Sequence, residues 1–294
     1  MGMEMPTRVL DVGDSSTRKD GIRVFATRGA AGKYIALSYF WGGPQQLALT
    51  TQTMTQMLKE INLTALPQTL QDAVYITRKL GVRYLWVYAL CIIQDSKEDM
   101  GHELKTMAQI YRNSSITISA ASASGVHAGF LQPRQPKPSK HPRFKLPYRS
   151  LHDTAIQGTV MLQEYAFSNP YSELINHRAW ALQERLLSPR LLIYGTRKLQ
   201  WQCQTTKFAE NNSIAIIDVG SERLEKAFFI PETPLPAKSF WYSWIDTVID
   251  YSHRKVNFEE DRFVALAGVA SEFQRLGEGS VYLAGLWSRD LLEG

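Results

Sequence analysis

The residues best suited to chemistry in this chain are a tryptophan and a glutamate four positions apart, Trp180 and Glu184. This spacing places both side chains on one face of a helix. An indole beside a carboxylate offers a stacking surface to a base or a nicotinamide ring. The alternative is a carboxylate on the helix surface, paired with one of the nearby arginines Arg178, Arg185 or Arg190. Arg178 itself could clamp a phosphate or brace the glutamate.

Two apolar strands are followed directly by residues suited to a ligand site. The predicted strand 34–39 stops at Trp41 and two glycines, and the predicted strand 84–93 stops at Gln94 and Asp95. In parallel sheets ligands bind where strands end, so we expect these residues on one rim. Gln94 could orient a ligand amide or serve as a turn residue, whereas the pattern favours Asp95 as a helix N-cap. Trp41 is either a stacking wall or a core anchor.

Alternating strands and helices are expected to position these residues. The predicted strands lie at 7–12, 22–26, 34–39, 84–93, 115–120, 156–163, 191–194 and 198–203. The predicted helices lie at 53–61, from Pro67 to Leu80, and at 99–111, 179–187, 240–251 and 259–275. The first two strands form a hairpin, and the alternation that follows predicts a parallel sheet with right-handed crossovers. The proline-rich segment 133–147 indicates an excursion or a subdomain boundary.

Composition predicts a folded protein without a nucleic-acid partner. The chain has 294 residues, of which 44% are hydrophobic and 21% charged, enough to bury an extended core. Its net charge of +5 comes from scattered residues, except for a basic run at 134–143. We interpret that run as a solvated loop and not as a nucleic-acid or lipid patch.

Several site classes are not indicated by the sequence. Cys91 and Cys203 lie in apolar surroundings typical of core thiols in a reducing compartment. The six histidines lack metal-ligand spacing, so no metal is expected. There is no glycine-rich phosphate loop, and we expect no required cofactor. The amino terminus lacks a signal-peptide core and no run of about 18 apolar residues exists, so we expect a cytoplasmic protein without a membrane span.

Four phrases of the chain resemble the fungal heterokaryon-incompatibility (HET) domain family in order and spacing. They are ALSYFWG (36–42), LPQTLQDAVYITRKLGVRYLWVYALCIIQDS (66–96), Met107-x-x-Ile110-Tyr111 and RAWALQERLLSPR (178–190). The resemblance covers roughly residues 34–203, and fainter family-like phrases follow at 251–254, 261–268 and 282–287. It implies an effector of heterokaryon incompatibility and regulated cell death that works with protein partners or by self-association.

A more remote resemblance links the chain to Toll/interleukin-receptor (TIR) domains. It implies an α/β fold with a parallel TIR-like (flavodoxin-like) sheet flanked by helices and elaborated with extra strands and helices. The implied organisation has three parts: an N-terminal β-hairpin extension (1–33), a HET core (34–205) and a mainly helical C-terminal extension packed on the core (206–294).

In enzymatic TIR domains a glutamate on a helix cleaves the nicotinamide–ribose bond of NAD, and the phrase from Trp180 to Glu184 is similar to the phrase that carries it. The resemblance therefore implies that Glu184 binds ribose hydroxyls and stabilises an oxocarbenium-like transition state. NAD would be a nucleotide substrate and not a cofactor. The residues implied to bind it are Ser38, Trp41, Tyr88, Gln94, Asp95, Arg178 and Trp180.

Tyr88 is the main departure from the HET pattern, which usually has an aspartate at this position. The lost carboxylate leaves two alternatives to NAD cleavage. One is a non-catalytic, self-associating signalling module, that is, an inactive homologue. The other is an enzyme or binder of small molecules that uses the same cleft for unrelated chemistry, since a fold does not fix a function.

Overall fold

The computed structural model of the protein describes residues 3–13, 21–43, 47–134, 144–150, 155, 157–162, 173–204, 207–209, 237–276, 280–288 and 291. The strands are β1 (Met3–Glu4), β2 (Arg8–Asp11), β3 (Gly21–Ala26), β4 (Ala31–Gly32), β5 (Tyr34–Ser38), β6 (Ile61–Asn62), β7 (Tyr84–Trp86), β8 (Ile116–Ser119), β9 (Phe144–Arg149), β10 (Gln157–Leu162), β11 (Arg190–Tyr194), β12 (Leu199–Cys203), β13 (Lys207–Ala209), β14 (Tyr282–Leu283) and β15 (Leu286–Trp287). The α-helices are α1 (Met54–Lys59), α2 (Gln68–Lys79), α3 (Tyr88–Cys91), α4 (Lys97–Asn113), α5 (Ala179–Leu186), α6 (Ala237–Ser252) and α7 (Asp261–Leu276).

One mixed sheet of nine strands organises the fold, in the order β13-β12-β11-β8-β5-β7-β2-β3-β6. The four central strands, β11, β8, β5 and β7, are parallel to one another. The strands on both sides are antiparallel. The sheet as a whole is therefore mixed and not parallel, and the predicted parallel arrangement is confined to the four central strands. The connections from β2 to β3 and from β11 through β12 to β13 are short and can join only antiparallel neighbours, whereas helices separate the central strands.

The amino-terminal hairpin is confirmed and forms part of this sheet. β2 and β3 pair along their length, and β2 also pairs with β7, with Leu10 opposite Leu85. At the start of β2, Arg8 donates hydrogen bonds to the Cys91 carbonyl at 2.7 Å and to the Asp99 carboxylate at 2.6 Å. This contact holds the α3 turn and the start of α4 against the sheet.

The second central strand is much shorter than predicted. β7 ends at Trp86, and the apolar residues from Tyr88 to Cys91 form the single helical turn α3. A continuous apolar run has no periodicity that separates a buried strand from a buried helical turn, so the predicted strand was extended too far. Cys91 is a free core thiol, as predicted, and burial raises its pKa to about 12. The early strand end places Tyr88 at the carboxyl edge of the sheet.

The predicted helices are present, and their boundaries have local causes. α2 begins after Pro67 and ends before Gly81, whose φ of +70° favours glycine at a helix end. α4 connects β7 to β8 and buries Met107, Ile110 and Tyr111 against the sheet. These helices cover the central strands and bring their ends to a common edge.

A second apolar cluster joins α5 to the carboxyl-terminal helices α6 and α7. Trp244 lies edge-on to Phe273 at 5.0 Å and to Trp287 at 5.2 Å between ring centroids. Each such pair contributes about 0.5–1.5 kcal/mol beyond simple burial. Trp180 packs against both clusters. The carboxyl-terminal helices are thus fixed to the same helix that carries Glu184.

The predicted strand near 156–163 is present as β10, which pairs only with β9 among the described strands. Most of the proline-rich segment 133–147 and all of the basic run except Arg134 lie outside the described residues. Within the described part of the chain, no helix is long and apolar enough to cross a membrane.

Candidate functional site

A cavity of about 900 Å³ opens at the carboxyl edge of β5 and β7. This volume lies within the range of about 300–1,000 Å³ typical of small-molecule sites. The segment after β5, the α3 turn, α4, α5 and the loop before α7 form its walls. The sequence-predicted residues on these walls are Trp41, Tyr88, Gln94, Asp95, Arg178, Trp180 and Glu184. Ser38 lies behind the wall and reaches the cavity through its contact with Glu184.

Glu184 is a buried carboxylate, only 3% exposed, on the cavity side of α5. The Ser38 hydroxyl donates a hydrogen bond to its Oε2. Its Oε1 lies 3.8 Å from the Arg178 guanidinium, which is beyond normal hydrogen-bond length. The alternative of a carboxylate on the helix surface is therefore wrong, but the ion pair with Arg178 that it included is present. Arg185 instead pairs with Asp250 at 3.3 Å.

Two tyrosine hydroxyls lie close to this carboxylate. Burial raises the pKa of Tyr111 well above its ordinary value, and the nearby Glu184 raises it further. Its hydroxyl lies 3.3 Å from the Leu37 carbonyl and also hydrogen-bonds with the Glu184 side chain. Burial also raises the pKa of Tyr39, whose hydroxyl has no hydrogen-bond partner among the described residues. An unpaired buried hydroxyl costs about 1–3 kcal/mol, and buried polar groups are therefore normally hydrogen-bonded. A bound ligand could supply the partner that the Tyr39 hydroxyl lacks within the described part of the chain.

Arg178 stands where three segments meet. It is the N-cap residue of α5, and its guanidinium donates a hydrogen bond to the Tyr39 carbonyl. Its backbone forms a parallel bridge with Lys255, and Ala179 N–H donates to the Lys255 carbonyl at 2.8 Å. The side chain is 25% exposed. Arg178 thus braces the loop after β5 and still faces the cavity, so neither of its two predicted roles excludes the other.

Aromatic rings form the wall next to the sheet. Trp41 and Tyr88 lie 5.4 Å apart between ring centroids, tilted by 57°. Trp41 precedes Gly42, whose φ is +73° and whose added Cβ would come within 2.7 Å of the Gly125 Cα. Only glycine fits this turn. Trp41 therefore both packs on Tyr88 and lines the cavity. Burial raises the pKa of Tyr88 to about 12.

Gln94 and Asp95 line the cavity but are tied to the backbone. The Gln94 amide donates to the Tyr88 carbonyl at 3.3 Å and to the Ile92 carbonyl at 2.9 Å. Asp95 accepts from Thr51 N–H at 2.8 Å and from its hydroxyl at 2.6 Å, and these bonds lower its pKa. The predicted N-cap role of Asp95 is wrong. Ser96, one residue later, caps α4 by accepting from the third residue of the helix.

Sequence reasoning missed the contribution of the loop before α7. Asp261 lines the cavity, and the Trp180 side chain hydrogen-bonds to its carboxylate. Burial raises the pKa of Asp261, the Trp180 bond lowers it, and the neighbouring Glu260 raises it. Asp261 opens one of the fainter family-like phrases, but nothing local in the sequence places it beside residue 180. Among the described residues, no group of three or more His, Cys, Asp or Glu side chains could hold a metal ion.

Comparison with known families identifies the segment that builds most of this site. The family model described as heterokaryon incompatibility protein (HET) matches residues 34–184, which run from β5 to Glu184 and make up just over half of the chain. No curated protein and no solved structure gives a significant match. The loop before α7 lies outside the matched segment. The chain therefore belongs to the heterokaryon incompatibility (HET) family, which implies a role in heterokaryon incompatibility.

Proposed function

We propose that this protein is a HET-type effector that cleaves the nicotinamide–ribose bond of NAD, with Glu184 as the catalytic carboxylate. The observation that carries the proposal is the setting of Glu184 itself. It is a buried carboxylate on the wall of a cavity of nucleotide-accommodating size, hydrogen-bonded by the side chains of Ser38 and Tyr111 and 3.8 Å from the Arg178 guanidinium. A few convergent polar groups on the wall of a pocket of this size are the usual arrangement of a small-molecule site.

The reaction breaks the bond between ribose C1′ and the pyridinium nitrogen. The electron pair of that bond goes to the nitrogen, so nicotinamide leaves as a neutral molecule and positive charge develops on the ribose. Glu184 stabilises this charge electrostatically and binds the ribose hydroxyls. As nicotinamide leaves, a water oxygen bonds to C1′ and releases one proton, which gives ADP-ribose.

Other residues of the cavity have roles consistent with this substrate. Trp41, Tyr88 and Trp180 offer aromatic faces to the planar rings, and Arg178 offers a cation to the diphosphate. Gln94 and Asp95 border the same space at the rim. The four parallel strands run in the order second, first, third, fourth, which matches the beginning of the flavodoxin-like order, and ligands of such sheets bind at their carboxyl edge. This order supports the remote resemblance to TIR domains.

In the cell, loss of NAD would lead to regulated cell death. We infer that protein partners or self-association in the cytoplasm control the reaction, as the HET resemblance implies. NAD is then consumed as a substrate, with no further cofactor required.

The test is to incubate the purified protein with NAD at high protein concentration and to follow nicotinamide release. Glu184→Gln should lose release, because the amide keeps the volume and removes the charge. Glu98→Gln, an exposed change in the first turn of α4, is the matched control and should retain it. Equal release by all three proteins would remove Glu184 from the reaction, and no release by the wild type would overturn the proposed activity.

The rival is a non-catalytic, self-associating signalling module, and one observation favours it. The ring of Tyr88 packs on Trp41 at the position where the HET pattern usually supplies a carboxylate. The variant Tyr88→Asp separates the two readings. If an aspartate there orients the ligand, turnover or toxicity should rise roughly tenfold, since a hydrogen bond to a charged group contributes about 1.5–3 kcal/mol. An intact fold with no gain in either readout would favour the signalling module.

A further inference from the structure

The cavity contains a second partly buried carboxylate, Asp261, which comes from outside the segment matched by the family model. Two carboxylates in different surroundings are a common arrangement in glycosidic bond cleavage, because one stabilises charge while the other handles a proton. We propose that Asp261 is the base that takes the proton from the water attacking ribose C1′. This inference rests on the proposed cleavage of NAD.

Trp180 connects Asp261 to the helix that carries Glu184. The Trp180 side chain bonds to the Asp261 carboxylate, and Trp180 and Glu184 are four residues apart on α5. Four residues correspond to about 6 Å along a helix. The backbone bridge between Arg178 and Lys255 fixes the approach of the loop to α5. Both carboxylates therefore line one cavity from different elements.

The neighbouring Glu259 shows what an ordinary carboxylate in this loop does. Its side chain is 80% exposed and pairs with Arg262 at 3.0 Å. Asp261 has no salt bridge to an arginine or lysine within the described chain, and its side-chain partner is the neutral Trp180 indole. Favourable interaction with the amino terminus of α7 accounts for an acidic residue here, but it does not require one that faces a cavity.

The surroundings of Asp261 suit a base. Burial and the nearby Glu260 raise its pKa above that of an ordinary aspartate, although the Trp180 bond acts in the opposite direction. Tyr88, from the α3 turn, also interacts electrostatically with it. A carboxylate with a raised pKa accepts a proton more readily. Glu184 is less suited to this role, because it accepts a hydrogen bond from Ser38 and lies near the Arg178 cation.

In the proposed step the water oxygen forms the bond to C1′ as the bond to nicotinamide breaks. One proton of that water passes to the Asp261 carboxylate and then to solvent. A pyridine base, such as 3-acetylpyridine, can attack the same carbon with its nitrogen lone pair and has no proton to lose. Hydrolysis therefore needs the base, and pyridine exchange does not.

The experiment measures ADP-ribose formation and 3-acetylpyridine exchange side by side, with the full chain. Asp261→Asn keeps the volume and a hydrogen-bond acceptor for Trp180. It should lower hydrolysis by about 10²-fold or more, the usual contribution of a general base, and retain exchange. Glu184→Gln should lose both reactions, and Glu259→Gln should lose neither.

The outcomes separate this inference from the activity on which it rests. If the wild type performs neither reaction, the proposed NAD cleavage fails and the role of Asp261 fails with it. If the wild type is active and Asp261→Asn changes nothing, or lowers hydrolysis and exchange equally, Asp261 is not the base. A melting curve of Asp261→Asn that matches the wild type shows that any selective loss is chemical.

Discussion

The parallel strands begin at one edge of the central sheet, the amino edge, and end at the other, the carboxyl edge. Each of these edges holds a buried carboxylate, and the two carboxylates have different partners. At the amino edge, Asp11 is fully buried and accepts from Arg83 at 2.9 and 3.0 Å, from Arg23 at 3.4 Å and from Gly13 N–H at 3.2 Å. At the carboxyl edge, Glu184 is almost as buried, but its partners are two neutral hydroxyls, of Ser38 and Tyr111, and a guanidinium 3.8 Å away.

This difference in partners distinguishes a carboxylate that stabilises the fold, Asp11, from one that is available for chemistry, Glu184. Burial raises the pKa of Asp11, but the bonds and charges of Arg83, Gly13 and Arg23 outweigh it, so the net shift is downward. The carboxyl edge also leaves the Tyr39 hydroxyl without a partner among the described residues. The charged partners of Asp11 stabilise its ionised form at the amino edge, whereas at the carboxyl edge the Tyr39 hydroxyl, unpaired within the described chain, is a polar group whose hydrogen bond a ligand can complete.

The largest expected effect is at the carboxyl edge. Glu184→Gln should lower the rate of nicotinamide release by about 10²–10³-fold, the usual cost of losing a transition-state electrostatic partner. Its free energy of unfolding should change by less than about 1 kcal/mol, because the amide still accepts from Ser38. Turnover measured beside urea unfolding checks both. A strongly destabilised variant would show that Glu184 is a structural residue like Asp11.

At the amino edge we expect the reverse pattern. Asp11→Asn should lower the free energy of unfolding by about 1–3 kcal/mol, since it breaks a buried charged pair whose remaining partner is half-exposed and can be hydrated. Nicotinamide release per folded molecule should not change. The exposed Asp246→Asn, on α6, is the matched control and should unfold like the wild type. A loss of activity in Asp11→Asn without a loss of stability would contradict the division between the edges.

The sequence predicted the parts of the fold that depend on local pattern. The helices had clear apolar periodicity and end signals such as Pro67 and Gly81, and they appear at nearly the predicted positions. Where the pattern was ambiguous, prediction failed. The apolar run after Trp86 has no period, and it forms a helical turn because Ala89, Leu90 and Cys91 are buried together. The antiparallel pairing of the outer strands depends on how the chain folds back after each strand. The pattern of apolar residues within a strand does not specify this.

The candidate site shows the same limit. Trp41 and Glu184 could be proposed because one follows the end of a predicted strand and the other lies on a predicted helix, and Tyr88 could be proposed because it departs from the HET pattern. Asp261 could not, because its place depends on how α7 packs on α5. The wrong N-cap prediction for Asp95 had a different cause. Asp95 and Ser96 are adjacent and both residue types are common N-caps, and the N-cap position of α4 falls on Ser96.

A smaller effect is expected at the aromatic wall. Trp41→Ala should weaken NAD binding by about threefold to tenfold, because a stacked ring contributes about 0.5–1.5 kcal/mol. Calorimetry in the Glu184→Gln background measures binding without turnover. Trp41→Phe keeps a ring against Tyr88 and is the control, expected to bind nearly as the wild type. Equal weakening by both variants would mean that the indole is needed for packing and not for stacking on a ligand.

The smallest effect concerns the pH dependence of stability at the amino edge. Despite burial, the arginines around Asp11 hold its pKa in the folded protein below the ordinary value of an aspartate, so the folded state favours the charged form. Its contribution to stability is therefore fully present above the unfolded pKa, near pH 4, and is lost as the pH falls through the folded pKa. The difference in unfolding free energy between the wild type and Asp11→Asn should be constant from pH 7 to about pH 5 and should shrink below about pH 4. Both arginines keep their charge over this range, so the change can be assigned to the carboxylate. A difference that stays constant well below pH 4 would mean that the arginines do not stabilise the charged form of Asp11, and the contrast between the two edges would then rest on Glu184 alone.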